Sequence, residues 1–186
     1  MIQPVRPWQI FSKLGFNNQV RLVIPTLPGR ETESVMSLET ELLIAVARIV
    51  RAKTILEIGT SMGYTSLHLA MNTWASIITV DKEHKPCAFE QTKWESRIKR
   101  VDSDIFDLNF SDPTDMVFCD VNYSAETVVR ATSIAFGCDP KVVAWHDYSH
   151  PEVLAPKPIL DALSESRDLI HVEDSSLVFW FKEPIL

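Results

Sequence analysis

Apolar residues Leu38, Leu42, Val46 and Ile49, joined by Leu43 and Val50, recur at the three- and four-residue spacing of one helix face. Ser37 stands where a helix cap belongs, and Glu39 and Glu41 fall near the positive end of that helix. Beyond Arg51 the pattern switches between short apolar runs and helical stretches. Thr54–Ile58 and Ser76–Val80 are strand-like, with a helical pattern from Gly63 to Asn72 between them. Glu83–Glu95 predicts a helix and Arg97–Val101 a short strand. Asp115–Asp120 reads as a buried strand, and Ser124–Phe136 as a helix capped by Ser124 and ended by Gly137. Lys141–Trp145 reads as a strand and Pro158–Ser166 as a helix. At the end, Leu169–Val172 and Leu177–Phe181 flank Glu173-Asp174-Ser175-Ser176, the pattern of a hairpin.

This alternation predicts an α/β fold: a doubly wound, mostly parallel sheet of seven strands with helices on both faces. The hairpin adds an antiparallel C-terminal strand. The regular pattern occupies residues 36–186 as a single domain. Residues 1–35 differ. Pro4, Pro7, Pro25 and Pro28 interrupt long elements, while Trp8, Phe11, Leu14 and Phe16 are too aromatic for a disordered tail. They predict an irregular arm with at most short helices, packed on the body, on the partner in a homodimer, or over a site.

Composition narrows the class. A chain of 186 residues, 46% hydrophobic and 23% charged, matches one globular domain, of a size that buries about 70% of its unfolded surface. No apolar run approaches the ~20 residues of a membrane helix. The N-terminal MIQPVRPWQI lacks the plan of a signal peptide, so no membrane partner is expected. A net charge of −7 argues against nucleic acid as the main partner. The one basic concentration, Lys93, Arg97, Lys99 and Arg100, reads as a solvated surface. Cys87, Cys119 and Cys138 have no paired spacing, which fits a reducing cytoplasm.

In a doubly wound sheet, ligands bind beyond the carboxyl ends of the strands, near the point where strand order reverses. The residues just past the predicted strands are Glu57 to Gly63, Asp81, Ser103 with Asp104, Asp120, and His146 with Asp147. Leu56–Ser66, LEIGTSMGYTS, places two of the chain's five glycines in one strand-to-helix turn. Backbone N–H groups there can face a ligand's polar tail. Three chemistries share such a turn. The dinucleotide fingerprint is absent, because Ser61 stands at its second glycine. Gly59-Thr60-Ser61-Met62-Gly63 does match the nucleophile elbow of serine hydrolases, with Asp120 or Asp147 and then His171 in chain order. Against that, only one helix pattern and the arm precede the strand, and no glycine-rich oxyanion segment lies upstream. The third chemistry is S-adenosylmethionine (SAM) binding. Glu57 can lie under the turn and fix it, or face the ligand's ammonium through water. Gly59 and Gly63 let the backbone approach the methionine and ribose. Asp81 can accept both ribose hydroxyls, and Ser103 and Asp104 are placed to meet the adenine edge.

From Met36 to about Leu186 the chain resembles the class I SAM-dependent methyltransferases. Within them it is similar to the catechol, caffeoyl-CoA and macrocin O-methyltransferases and the family-24 domains. LEIGTSMGYTS matches their first motif and VDKE, Val80 to Glu83, the ribose motif. MVFCDVNYSAETVV matches the segment where an aspartate closes the fourth strand. VVAWHDYSHPEV matches the fifth, where Asp-Asp, Asp-Asn or His-Asp stands. The resemblance implies a Rossmann-like fold, SAM as cofactor and a small-molecule hydroxyl as acceptor. It implies SAM contacts from Glu57, Gly59, Thr60, Ser61, Gly63, Tyr64, Thr65, Asp81, Ser103, Asp104 and Asp120. It also implies a catalytic corner of Asp120, His146 and Asp147 that holds Mg²⁺ or another divalent metal. The aspartates suit Mg²⁺, whereas the histidine suits a transition metal or a proton acceptor. The lysine base of the catechol type is Tyr123 here, which leaves His146, His150 and His84 as base candidates. A SAM-binding protein of the same fold that has lost catalysis is the alternative.

Overall fold

The computed structural model describes residues 2–14, 20–21, 37–121 and 124–185. Its strands are β1 (Gln3–Val5), β2 (Thr54–Ile58), β3 (Ser76–Asp81), β4 (Ile98–Asp102), β5 (Met116–Cys119), β6 (Val142–Trp145), β7 (Leu169–Val172) and β8 (Val178–Phe181). Its helices are α1 (Pro7–Phe11), α2 (Ser37–Ile49), α3 (Tyr64–Asn72), α4 (Ala125–Gly137) and α5 (Pro156–Leu163). The strands form one sheet in the order β1-β7-β8-β6-β5-β2-β3-β4. Only β8 runs against the rest, antiparallel to β6 and β7. The chain leaves β2 toward β3 and β4, then returns to place β5 on the other side of β2. The switch point therefore lies between the ends of β2 and β5, at Gly59 and Asp120.

The period-two alternation of the strands divides the core into two layers. Ile55, Ile77, Met116 and Phe118 pack with Leu42, Leu43 and Val46 of α2 on one face. Leu56, Val80, Val117, Val143 and Trp145 pack with Ala131 and Ile134 of α4 and Leu160 of α5 on the other. Both faces of the central strands are covered, which is why these strands read as continuous apolar runs. No helix among the described residues is long and apolar enough to cross a membrane.

The structure departs from the sequence pattern in three places. The sheet has eight strands where the pattern predicts seven, because Gln3–Val5 adds a parallel strand beside β7. Pro4 is tolerated there because β1 is an edge strand, and Pro7 opens α1, where a missing N–H costs nothing. Ile10 is fully buried, and Phe11 and Leu14 pack on the core. Phe16, Pro25 and Pro28 lie outside the described residues, as does the Ser37 side chain. Second, Glu83–Glu95 is not a helix. Pro86 disfavours helical geometry at Lys85, Gln91 sits at φ +59°, and Ala88 donates to the Met62 carbonyl at 2.8 Å. Buried Cys87 and Phe89 anchor a series of turns instead. Third, Arg97 and Arg100 are not simply a solvated surface. Arg97 donates to the carbonyls of Ala70, Thr73 and Ala75 at the end of α3, at 2.8, 2.9 and 2.6 Å. Arg100 ties the Glu83 and Lys85 carbonyls to Asp102.

Candidate functional site

Strand-like pairing continues one residue past the regular strands. Gly59 donates to the Val80 carbonyl and Asp120 to that of Ile58, both at 2.8 Å. His146 donates to the Cys119 carbonyl at 3.1 Å and Ser103 to that of Asp81 at 2.9 Å. The polar residues that follow the strands are thereby held along one edge of the sheet. A cavity of about 800 Å³ opens on this edge, lined by Gly59, Ser61, Asp81, Ser103, Asp104, Asp120, His146 and Asp147 among the expected residues. Its volume suits a cofactor together with a small substrate. Glu57, Thr60, Gly63, Tyr64 and Thr65 do not line it.

The glycines of the turn answer to neighbouring protein. Gly59 has φ +105°, and a Cβ there would lie 2.2 Å from the Asp120 carbonyl oxygen. Gly63 has φ +70°, and its Cβ would lie 2.6 Å from the Phe89 ring. Asp81 braces the turn from the next strand. Its Oδ2 accepts from the N–H groups of Thr60 and Ser61 at 3.0 and 2.8 Å, and its Oδ1 from that of Glu83 at 3.0 Å. A carboxylate offers about four acceptor positions, so acceptor capacity remains at the cavity wall.

Glu57 lies beneath the turn, 1% exposed. It accepts from the Thr79 hydroxyl at 2.6 Å and from the Ser66 hydroxyl. Burial pushes its pKa up to about 8, aided by the negative charges of Asp120 and Asp81 and opposed by the two hydroxyls. An acid whose folded pKa is raised keeps its full contribution below its unfolded value, here 4.5, and loses it as pH rises through about 8. Glu57→Gln is therefore expected to flatten the decline of stability between pH 5 and 8. The gain near pH 8 is on the order of 3 kcal/mol, measurable in thermal melts across buffers. A variant whose melting temperature follows the wild-type pH slope would contradict a neutral Glu57.

Another part of the cavity wall is built around His146. Its Nδ1 lies 3.0 Å from Asp120 Oδ1 and 3.2 Å from Asp147 Oδ1, and its Nε2 lies 3.1 Å from Glu39 Oε2. Burial alone would lower the histidine pKa. The facing Asp120 charge and the hydrogen bonds to Asp120, Asp147 and Glu39 outweigh it and push the pKa up to about 12. For Glu39, burial is likewise outweighed, by His146 and by Ser176, which bring it down to about 2. Asp147 takes a left-handed φ of +62°. Its N–H points to Ser176 Oγ at 3.3 Å, and the Tyr148 N–H donates to the Ser176 carbonyl at 3.0 Å. The β7–β8 turn thus pins the loop that follows β6.

This corner fits a divalent cation. Asp120, His146 and Asp147 each offer one ligand atom, all within 4.8 Å of one another. Separations of 3.0 and 3.2 Å match adjacent ligands on a metal with bonds of about 2.1 Å. The cation would take the place of the Nδ1 proton, and a donor set of one imidazole and two carboxylates favours a transition metal.

Sequence reasoning missed several lining residues. Glu39 stands in the first turn of α2, where an acid is expected anyway, so nothing in the sequence singles it out. Ile105 and Phe106 line the cavity directly after Ser103 and Asp104. Asp104 Oδ1 accepts from the Phe106 N–H at 2.9 Å, and Phe106 is 48% exposed. Two apolar residues immediately after the polar pair were the available signal. Of the other histidines, His150 lines the cavity, whereas His84 pairs with Asp102 at 2.8 Å outside its lining. His171 also lines it, with Nε2 2.9 Å from the Ser175 carbonyl. Tyr123 lies outside the described residues.

The sheet order, the switch-point cavity and the single reversed strand define a Rossmann-like α/β fold. No family model matches the chain, and no curated protein matches its sequence. Solved structures do match. The O-methyltransferase TomG of Streptomyces achromogenes, involved in tomaymycin synthesis and solved with SAM, is 21% identical. The match covers 83% of this chain and 86% of that one, with a TM-score of 0.57. An SAH-bound methyltransferase of Podospora anserina is 19% identical over 85% and 83% of the two chains, TM-score 0.64. A Bacillus cereus O-methyltransferase in complex with SAH is 15% identical over 86% and 84%, TM-score 0.63. At these identities the likeness is one of fold.

Proposed function

We propose that the protein is a SAM-dependent methyltransferase that methylates a hydroxyl of a small molecule, with a divalent cation at Asp120, His146 and Asp147. One observation carries the proposal. A single cavity at the switch point is lined both by the Asp81-braced turn and by the His146 corner.

Asp81 accepts the ribose hydroxyls with the acceptor capacity the turn leaves it. Ile105 and Phe106 supply apolar surface for the adenine, and Ser103 and Asp104 its polar edge. Gly59 and Ser61 form the wall beside the methionine. SAM, when bound, supplies a methyl group already activated as a sulfonium, so the protein's work is to align the reactants and deprotonate the acceptor. A cation at the corner, when bound, lowers the pKa of the acceptor hydroxyl. Asp120 and Asp147 balance the charge there. Both nitrogens of His146 already face carboxylates, so His146 serves better as ligand than as base. His150, exposed on the cavity wall, is the remaining histidine with room to take the acceptor proton.

The hydrolase alternative finds less support. Ser61 is bonded through its backbone to Asp81, and His171 is directed at the Ser175 carbonyl. The test is SAH formation with a panel of catechols, phenols and other hydroxyl compounds, with Mn²⁺ and with a chelator. Acceptor-dependent SAH formation that stops on chelation is expected. Turnover that survives chelation would remove the cation. Tight SAH binding without turnover across the panel would favour a non-catalytic SAM-binding protein.

A further inference from the structure

Glu39 is 2% exposed, reaches His146 across 107 positions of sequence, and is fixed at both carboxylate oxygens. Its Oε1 accepts from the Ser176 N–H at 2.6 Å and from the Ser176 hydroxyl at 2.7 Å. Its Oε2 faces Nε2 of His146 at 3.1 Å. With Oε1 anchored to the β7–β8 turn, the carboxylate cannot rotate away from the ring. A carboxylate only accepts hydrogen bonds, so the atom facing it must be Nε2–H. By the same rule Nδ1, which points between Asp120 and Asp147, also carries a proton, the one a bound cation would replace.

We infer that Glu39 is a positioning residue: acting through His146, it fixes the ring tautomer and offers Nδ1 to the cation between Asp120 and Asp147. The inference rests on the cation reading above. It adds an outer carboxylate from α2, a helix that the sequence motifs of the site do not include. Such outer partners orient a ligating imidazole and raise its basicity.

Glu39→Gln isolates this role. Glutamine has one oxygen and one NH₂ group. If the oxygen stays with Ser176, the NH₂ faces Nε2, the ring must carry its proton on Nδ1, and that nitrogen cannot bind metal. Titration calorimetry with Mn²⁺ alone is expected to show binding roughly 10- to 100-fold weaker than wild type, with SAH affinity retained. Equal Mn²⁺ affinities would overturn the role of Glu39 and leave the cation reading standing. A wild-type protein that binds no Mn²⁺ would overturn the cation reading, and the inference with it. Should Glu39→Gln fail to fold, ¹⁵N spectra of the wild-type histidines with Zn²⁺ decide. Nε2 protonated and Nδ1 coordinated supports the inference, and the reverse assignment overturns it.

Discussion

Replacing Asp81 with alanine will remove measurable SAH binding in titration calorimetry. The side chain has two jobs in this structure, and alanine ends both. It would lose the acceptor for the ribose hydroxyls, where hydrogen bonds to a charged group contribute about 1.5–3 kcal/mol each. It would also release the N–H groups of Thr60 and Ser61, which Asp81 Oδ2 holds at 3.0 and 2.8 Å. The turn that walls the cavity would then have to find other partners. Together these predict a loss of at least about 3 kcal/mol, roughly a hundredfold or more in affinity. Asp81→Asn separates the two jobs. Its carbonyl oxygen can keep the turn N–H groups while its NH₂ group no longer accepts from a hydroxyl. That variant gives up only the Glu83 N–H contact of Oδ1, so it should lose less melting temperature than Asp81→Ala and still bind SAH weakly. Unchanged affinity in either variant would sink the ribose assignment.

The central strands were legible because their environment is simple. β2, β3, β5 and β6 are covered on both faces, so their sequences are largely apolar, and the residues at their carboxyl ends fall on the ligand edge by topology alone. Asp81, Asp120, His146 and Asp147 were found that way. What was hidden depends on partners distant in sequence. β1 is three residues long and contains a proline, too short for any periodicity. The Glu83–Glu95 segment carries a helical pattern, but its apolar residues Cys87 and Phe89 serve as anchors under Gly63. Glu39 looks like an ordinary first-turn acid until α2 is seen against the β7–β8 turn. Asp81 was read as a ligand residue, yet its visible partners are backbone groups of the turn.

The same distinction applies to Gly59, and here the expected effect on the fold is largest. From sequence, this glycine reads as making room for a ligand. In the structure, the space beside it is taken by the carbonyl of Asp120, 2.2 Å from where a Cβ would stand. A backbone atom in a paired strand end cannot swing aside as a side chain can. Gly59→Ala must also hold φ near +105°, a conformation costly to any residue with a Cβ. Overpacking and backbone strain each cost about 1–3 kcal/mol, so a combined loss of about 4 kcal/mol is expected. For a chain of this size that lowers the melting temperature by roughly 10 °C. Gly137→Ala is the internal control. Gly137 ends α4 with nothing within 4 Å of its Cβ position, and alanine in a helix gains about 0.5–1 kcal/mol over glycine. The two variants should therefore move the melting temperature in opposite directions. Because the displaced atom belongs to Asp120, the proposed cation site predicts that Gly59→Ala will also weaken Mn²⁺ binding, whereas a glycine needed only for ligand approach would leave both the fold and that corner untouched.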